Sequence, residues 1–80
     1  MNPFTVRLNF HGDLDFFLRS KNRSRTVERS LSEKNSVKDI IESCGIPHPE
    51  VDRIQVNGQF VGLDHTLEND ADLEVFPVGN

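Results

Sequence analysis

The sequence predicts a single α+β domain in which a mixed sheet of four or five strands packs on one helix. Polar and apolar residues alternate near the start and near the end of the chain, as they do in strands with one buried face. Between these segments, apolar residues recur at helical spacing up to a glycine. The predicted order ββαββ lets the helix and alternate strand residues bury each other.

The length of 80 residues predicts one domain over residues 1–80, because independently folding domains contain roughly 50 to 200 residues. Hydrophobic residues make up 35% and charged residues 28% of the chain, a balance typical of globular and not of disordered proteins. The single cysteine, Cys44, cannot form an internal disulfide. The N-terminal residues contain no apolar run of signal-peptide or membrane-span length. We therefore expect a cytoplasmic monomer that does not bind membranes.

The formal net charge of −4 argues against a dedicated nucleic-acid-binding protein, but the charges are unevenly distributed. Residues 1–45 contain eight basic and six acidic residues, which gives +2, whereas residues 46–80 contain one and seven, which gives −6. Five of the nine basic residues fall in one stretch of eleven: Arg19, Lys21, Arg23, Arg25 and Arg29.

Alternation over residues 4–10 predicts the first strand. An apolar cluster at residues 14–18 then predicts one helical turn under the edge of the sheet. A polar, basic hairpin tip at about residues 19–25 leads into a second strand from Thr26 to Leu31, antiparallel to the first.

Helical spacing is clearest after residue 36, where the apolar stripe consists of Val37, Ile40, Ile41 and Cys44. Ser36 and Asp39 predict a capping box at the start of this helix, with Asp in place of the usual Glu. Gly45 predicts its end.

The dipeptide Asn57-Gly58 predicts the type I′ turn of a second hairpin, which continues through Phe60 and Val61. An irregular crossing and a turn over residues 69–72 follow. The alternation from Leu73 to Phe76 predicts a last strand with a central position in the sheet.

The segments SVKDIIESCGIPHPEVDRIQVNGQFV and LDHTLENDADLEVFPV resemble the ubiquitin-like domain that precedes the Mut-seven C-terminal RNase domain in many bacterial proteins. The likeness covers Phe4 to Val78, and VKD-I-E, G-I-P-H-x-E-V-D, VNG and V-F-P-V carry it. The resemblance implies a β-grasp (ubiquitin-like) fold without catalytic residues or a cofactor of its own. It also implies a protein partner, a Mut-seven-type RNase domain in cis or in trans. The first functional hypothesis is therefore a non-catalytic interaction or accessory module of that RNase.

The same superfamily contains the sulfur carriers ThiS and MoaD, which share the VNG turn and the acidic turn before the last strand. The resemblance to carriers implies a C-terminal Gly-Gly whose carboxylate is adenylated and converted to a thiocarboxylate. The C-terminal tail here reads Val78-Gly79-Asn80, so Asn80 departs from that pattern. A sulfur carrier is therefore the second hypothesis.

Phe76 is the first candidate for contact with a partner. It is out of phase with Leu73 and Val75, which places it on the open face of the sheet if these two residues face the core. The expected polar neighbours are Arg7, Gln55 and Glu74. An exposed aromatic among polar residues is typical of a protein-contact site, although a reversed strand phase or packing under a loop is an open alternative. Phe60, in a short edge strand, is a second candidate.

The basic hairpin offers a third hypothesis, a weak contact with RNA phosphates through Arg19, Lys21, Arg23 and Arg25. No aromatic residue interleaves these positions to stack on bases, so a solvated loop is the simpler interpretation.

Other reactive residues predict no chemistry. The three histidines, His11, His48 and His65, are far apart in the sequence and lack ligand spacing, so we expect no metal. Cys44 belongs to the apolar helix stripe, where cysteine is usually inert. The acidic residues Glu68, Asp70 and Asp72 suit a solvated turn.

Overall fold

The first and last long strands of the chain pair in parallel at the centre of a five-stranded sheet. The computed structural model describes residues 2–18 and 25–79. The strands are β1 (Phe4–Phe10), β2 (Thr26–Leu31), β3 (Asn35–Ser36), β4 (Val51–Val56), β5 (Gln59–Val61), β6 (Thr66–Leu67) and β7 (Ala71–Pro77). Helix α1 covers Val37–Ser43, and two 3₁₀ helices cover Gly12–Phe17 and His48–Glu50.

The main sheet has the strand order β2-β1-β7-β4-β5, in which only β1 and β7 are parallel. This order confirms the predicted mixed sheet with the last strand near its centre. Two details differ from the prediction. Strand β7 begins at Ala71, inside the predicted turn, and β3 pairs with β6 in a small second sheet. Strands of two residues are too short to show an alternating pattern, so the sequence does not reveal them.

The core lies between helix α1 and one face of the main sheet. The predicted helix stripe is buried: Val37, Ile40, Ile41 and Cys44. The inward-facing residues at the centre of the sheet are 0% exposed: Val6, Leu8, Leu73 and Val75. Burying one aliphatic side chain of this size contributes about 1.5–3 kcal/mol. The two predicted periodicities therefore identify most of what holds the fold together.

The segment after β1 forms the predicted helical turn as a 3₁₀ helix, but its apolar residues do not all enter the core. Leu14 is 1% exposed and Leu18 is 9% exposed, whereas Phe16 is 73% exposed. Phe16 instead makes an edge-to-face contact with Phe17. A 3₁₀ helix has three residues per turn, so Leu14 and Phe17 share one side and Phe16 faces away from it.

Helix α1 begins as predicted at Ser36, whose Oγ accepts a hydrogen bond from the Asp39 backbone N–H at 3.1 Å. The reciprocal half of the predicted capping box is wrong, because Asn35 Oδ1, and not Asp39, accepts from the Ser36 N–H. The N–H groups of Val37 and Lys38 donate to loop carbonyls of His65 and Leu63. Helix α1 ends at Ser43, and Gly45 follows the C-cap Cys44 with a φ of 104°, as expected of a terminating glycine. The hydrogen bonds of Val37, Lys38 and Asp39 satisfy the first backbone N–H donors of the helix.

The Asn57-Gly58 turn has the two positive φ angles of a type I′ hairpin, 50° and 87°. The Asn57 N–H donates to the Asp72 carbonyl at 2.8 Å, and Asn57 Oδ1 accepts from the Asp72 N–H at 2.9 Å. The predicted turn is therefore confirmed, and it is also fastened to the central strand β7.

Candidate functional site

The open face of the main sheet is the side that helix α1 leaves uncovered. Strand β7 contributes Asp72, Glu74 and Phe76 to it, and β1 contributes Thr5, Arg7 and Asn9. The parallel register sets Arg7 beside Asp72 and Asn9 beside Glu74. On the other side of β7, Arg53 lies opposite Phe76 and Gln55 lies opposite Glu74, with Phe60 next to Gln55. The surface is therefore continuous across all of these strands.

Phe76 lies at the centre of a row of four stacked side chains that crosses this face. Its ring stacks on the imidazole of His11, with centroids 4.5 Å apart and an interplanar angle of 17°. The guanidinium carbon of Arg53 lies 5.3 Å from the Phe76 ring centroid and 5.7 Å from that of Phe60. We call His11, Phe76, Arg53 and Phe60 the aromatic row. Phe60 is 60% exposed and Phe76 is half-buried, so the row offers both apolar and cationic surface to a partner.

Glu74 fixes one end of the aromatic row. Its Oε1 lies 2.6 Å from His11 Nε2, and its Oε2 accepts a hydrogen bond from Asn9 Nδ2 at 2.9 Å. Thr26 Oγ1 in turn donates to Asn9 Oδ1 at 2.9 Å. This chain of contacts holds the imidazole parallel to the Phe76 ring, because each polar group positions the next.

Arg7, which the sequence placed near Phe76, belongs to a different part of the open face. Its Nη2 lies 3.2 Å from Glu28 Oε2 on β2. The two residues border a shallow groove of about 290 Å³ that also includes Asp70 and Asp72. The predicted neighbour Arg7 is thus separate from the aromatic row, whereas the predicted neighbours Gln55 and Glu74 adjoin it.

Sequence reasoning missed His11 and Arg53 as neighbours of Phe76. Local alternation tells which face a side chain occupies, but not which residue lies opposite on a strand that is distant in sequence. Arg53 meets Phe76 through the β4–β7 register, and His11 does so beyond the end of the β1–β7 register. The basic character of Arg53, alone in the acidic second half of the chain, was the available signal.

The C-terminal segment is held firmly where it leaves the sheet. The Val75 carbonyl accepts a hydrogen bond from the His11 N–H, and the Val78 N–H donates to the Glu50 carbonyl, both at 2.9 Å. Gly12, with a φ of 60°, packs so closely that a Cβ there would lie 2.6 Å from Pro77 Cγ. The backbone is therefore anchored from both sides as far as Val78. Gly79 follows as an exposed residue, and Asn80 lies outside the described residues.

One of the four candidate RNA-contacting residues, Arg25, lies within the described residues. Arg19, Lys21 and Arg23 lie outside the described residues, and Arg25 Nε lies 3.9 Å from Asp15 Oδ2. Contact with RNA through these residues stays a prediction.

Among the other titratable residues, His48 and Glu42 form a close pair. His48 Nδ1 lies 2.6 Å from Glu42 Oε2, and this hydrogen bond lowers the pKa of the Glu42 carboxyl. Burial raises the pKa of the Cys44 thiol, which makes its thiolate form scarcer. Over residues 2–18 and 25–79, no group of three or more His, Cys, Asp or Glu is placed to hold a metal ion. The same residues include no helix that is long and apolar enough to cross a bilayer.

Comparison with known proteins supports the ubiquitin-like assignment. The model of a family described as Mut7-C ubiquitin matches residues 4–80. No curated protein matches the chain. A solved structure from Pyrococcus furiosus, assigned as molybdopterin converting factor subunit 1, is similar with a TM-score of 0.68 and 22% identity, over 92% of this chain and 97% of that one.

Two structures of a small archaeal modifier protein from Haloferax volcanii, SAMP1, are also similar. They have TM-scores of 0.68 and 0.67 and 17% identity, and the match covers 92% and 95% of this chain and 97% and 99% of theirs. These likenesses confirm the expected β-grasp fold, with its five-stranded mixed sheet on one helix.

The comparisons also reverse the order of the functional hypotheses. The expected accessory module of a Mut-seven-type RNase is wrong, because the similar structures are a molybdopterin converting factor subunit and small modifier proteins. The likeness extends over at least 97% of each of them. Ubiquitin-like domains generally interact with protein partners, which agrees with the coarser expectation of a protein partner.

Proposed function

Because the chain belongs to the Mut7-C ubiquitin family, we propose that it is a ubiquitin-like carrier or modifier protein. The observation that carries the proposal is the anchored C-terminal segment, which leaves the central strand β7 beside an exposed docking surface. The nearly full-length likeness to a molybdopterin converting factor subunit and to SAMP1 supports the same role. The role is non-catalytic, since the partner performs the chemistry on the segment.

The proposed role requires activation of a carboxylate on the C-terminal segment. A carboxylate oxygen attacks the α-phosphorus of ATP, pyrophosphate leaves, and an acyl-adenylate results. Hydrosulfide or an amine then attacks the acyl carbon and displaces AMP, and loss of a proton gives a thiocarboxylate or an amide. The chain contributes the C-terminal segment, and the hydrogen bond that the Val78 N–H donates to the Glu50 carbonyl fixes the direction in which this segment leaves β7. The proposal places the protein in the cytoplasm, where ATP is available.

The aromatic row is the proposed docking surface for the activating partner. It lies on the open face directly next to the departing tail, since Phe76 immediately precedes Pro77. Aromatic and arginine side chains are the residues that most often dominate the energy of protein interfaces. Gln55 and Glu74 adjoin the row and supply polar contacts at its rim.

An adenylation assay tests this function. The chain is incubated with ATP and the adenylating enzyme of its own source cell, and pyrophosphate release and the mass of the C-terminal peptide are measured. We expect pyrophosphate release that depends on the chain and an acyl-adenylate or thiocarboxylate on the C-terminal peptide. Absence of both, for each adenylating enzyme of the cell, would overturn the proposal.

Two variants tell whether docking uses the aromatic row. Phe76→Asp places a charge in the row while the buried core is unchanged, so we expect chain-dependent pyrophosphate release to fall at least about tenfold. Ser32→Asp is the control, because Ser32 is exposed and lies outside both the aromatic row and the C-terminal segment. Equal activity of the two variants would reject this surface, provided that both keep the circular-dichroism spectrum of the parent.

A further inference from the structure

A second cavity lies at the base of the departing tail, next to the point where the chain leaves β7. Its volume is about 310 Å³. Its lining comes from three separate parts of the chain: Gly12, Asp13, Leu14, Phe17, Glu50, Pro77, Val78 and Gly79. The volume lies at the lower end of the range for small-molecule pockets, roughly 300 to 1,000 Å³. It suits one long side chain better than a whole metabolite.

Contacts with other residues hold the apolar walls of this cavity in place. Leu14 is anchored in the core, and the edge-to-face contact with Phe16 holds the ring of Phe17. The third apolar wall, Pro77, is in van der Waals proximity to Gly12, a position where no larger residue fits without a shift. A hydrogen bond from the Val78 N–H to the Glu50 carbonyl joins two further lining residues.

Both charged residues that line the cavity are acidic. Asp13 and Glu50 are both exposed carboxylates, and no ion pair of either residue occurs among the residues that the structure describes. The cavity therefore combines apolar walls, one of them aromatic, with two exposed carboxylates.

We propose that this tail cavity takes an arginine side chain from the protein that handles the C-terminal segment. An arginine has a methylene stem for the apolar walls and a planar guanidinium that stacks on a ring such as Phe17 and donates to carboxylates such as Asp13 and Glu50. The cavity and the aromatic row flank Pro77 from two sides, so a partner that grips the tail contacts both. The inference extends the proposed function by specifying one contact of the activating partner.

The test uses the isolated 80-residue chain, N-acetyl-arginine amide as the probe and ¹⁵N–¹H NMR as the readout. We expect saturable shifts at the amides of Gly12, Leu14 and Val78. N-acetyl-citrulline amide has nearly the same shape without the charge, and we expect it to bind at least about tenfold more weakly. The same loss is expected for arginine amide when Asp13→Asn and Glu50→Gln are combined.

A charge-matched variant separates a specific site from general attraction. Asp64→Asn combined with Glu68→Gln removes two exposed carboxylates that do not line the cavity, so binding should be unchanged. Shifts that do not saturate, equal binding of citrulline amide, or equal loss in both double variants would overturn the inference. The titration needs neither ATP nor an enzyme, so its failure would leave the adenylation result standing.

Discussion

The imidazole of His11 stacks face to face on the ring of Phe76, 4.5 Å away, although the two residues are 65 positions apart in the sequence. The contact joins the end of the first strand to the end of the last one. Arg53, from the strand on the other side of β7, lies over the same ring, so Phe76 contacts both a polar ring and a cation.

We expect Phe76→Leu to lower the free energy of unfolding by about 1–2 kcal/mol. Leucine keeps most of the apolar area but loses an aromatic pair, about 0.5–1.5 kcal/mol, and a cation–π contact, about 0.5–1 kcal/mol. Urea unfolding followed by circular dichroism measures the difference. Phe16→Leu should cost less, because it loses one solvent-exposed aromatic pair and no cation–π contact. Equal effects of the two substitutions would show that the contacts of Phe76 with His11 and Arg53 add no more stability than that exposed pair.

Gly12→Ala should destabilise the fold more than Gly58→Ala. Both glycines have positive φ angles, 60° and 87°, which cost roughly 1–2 kcal/mol for a residue with a Cβ. Only at Gly12 would the added Cβ also meet another residue, Pro77 Cγ at 2.6 Å, whereas the space around Gly58 is open.

A double-mutant cycle tests the cause of this difference. Pro77→Ala removes the ring that the new Cβ would strike, so Gly12→Ala should cost less in the Pro77→Ala background than in the parent. Thermal or urea unfolding of the four chains gives the coupling. Additive effects would mean that backbone strain alone accounts for the cost of Gly12→Ala.

The pair formed by Glu42 and His48 should make part of the stability depend on pH. The folded state lowers the pKa of the Glu42 carboxyl below its ordinary value of 4.5, mainly through the hydrogen bond from His48. A lowered pKa means that the stabilisation is present above the ordinary value and is lost as the pH falls through the lowered one. We expect Glu42→Gln to be less stable than the parent near neutral pH and equal to it in strong acid.

Unfolding midpoints in urea at several pH values check this expectation. Glu68→Gln is the control, because Glu68 is an exposed acid in the crossing to β7. A gap between the parent and Glu42→Gln that stays constant down to strong acid would show that the carboxylate charge is not its source.

Local pattern was sufficient for the long strands and the helix but not for the site. The helix from Val37 and the strand from Thr26 to Leu31 follow from periodicity, because the buried face of each element is visible in its own residues. The face occupied by Phe76 follows in the same way. The partners of Phe76 do not, since His11 and Arg53 reach it only through registers between distant strands.

Other misses have the same physical origin. Asn35 takes the capping contact expected of Asp39 because the pairing of β3 with β6 sets the backbone before the helix. The buried residues Val51 and Ile54 are three positions apart, which departs from strand alternation, because the β4–β7 register shifts between Val51 and Arg53. Bulges and two-residue strands are settled by tertiary pairing, which a single sequence does not display.

Because β1 pairs in parallel with β7, the C-terminal segment is held in position only in a chain that contains both strands. Residues 4–10 have no central neighbour until residues 71–77 have been synthesised, so the sheet closes late, across almost the whole sequence. A copy cut short before Ala71 lacks the strand that completes the core, and with it the aromatic row and the tail cavity. Truncated copies would therefore not compete for the partner, since the same residues that finish folding also build the surface that the partner binds.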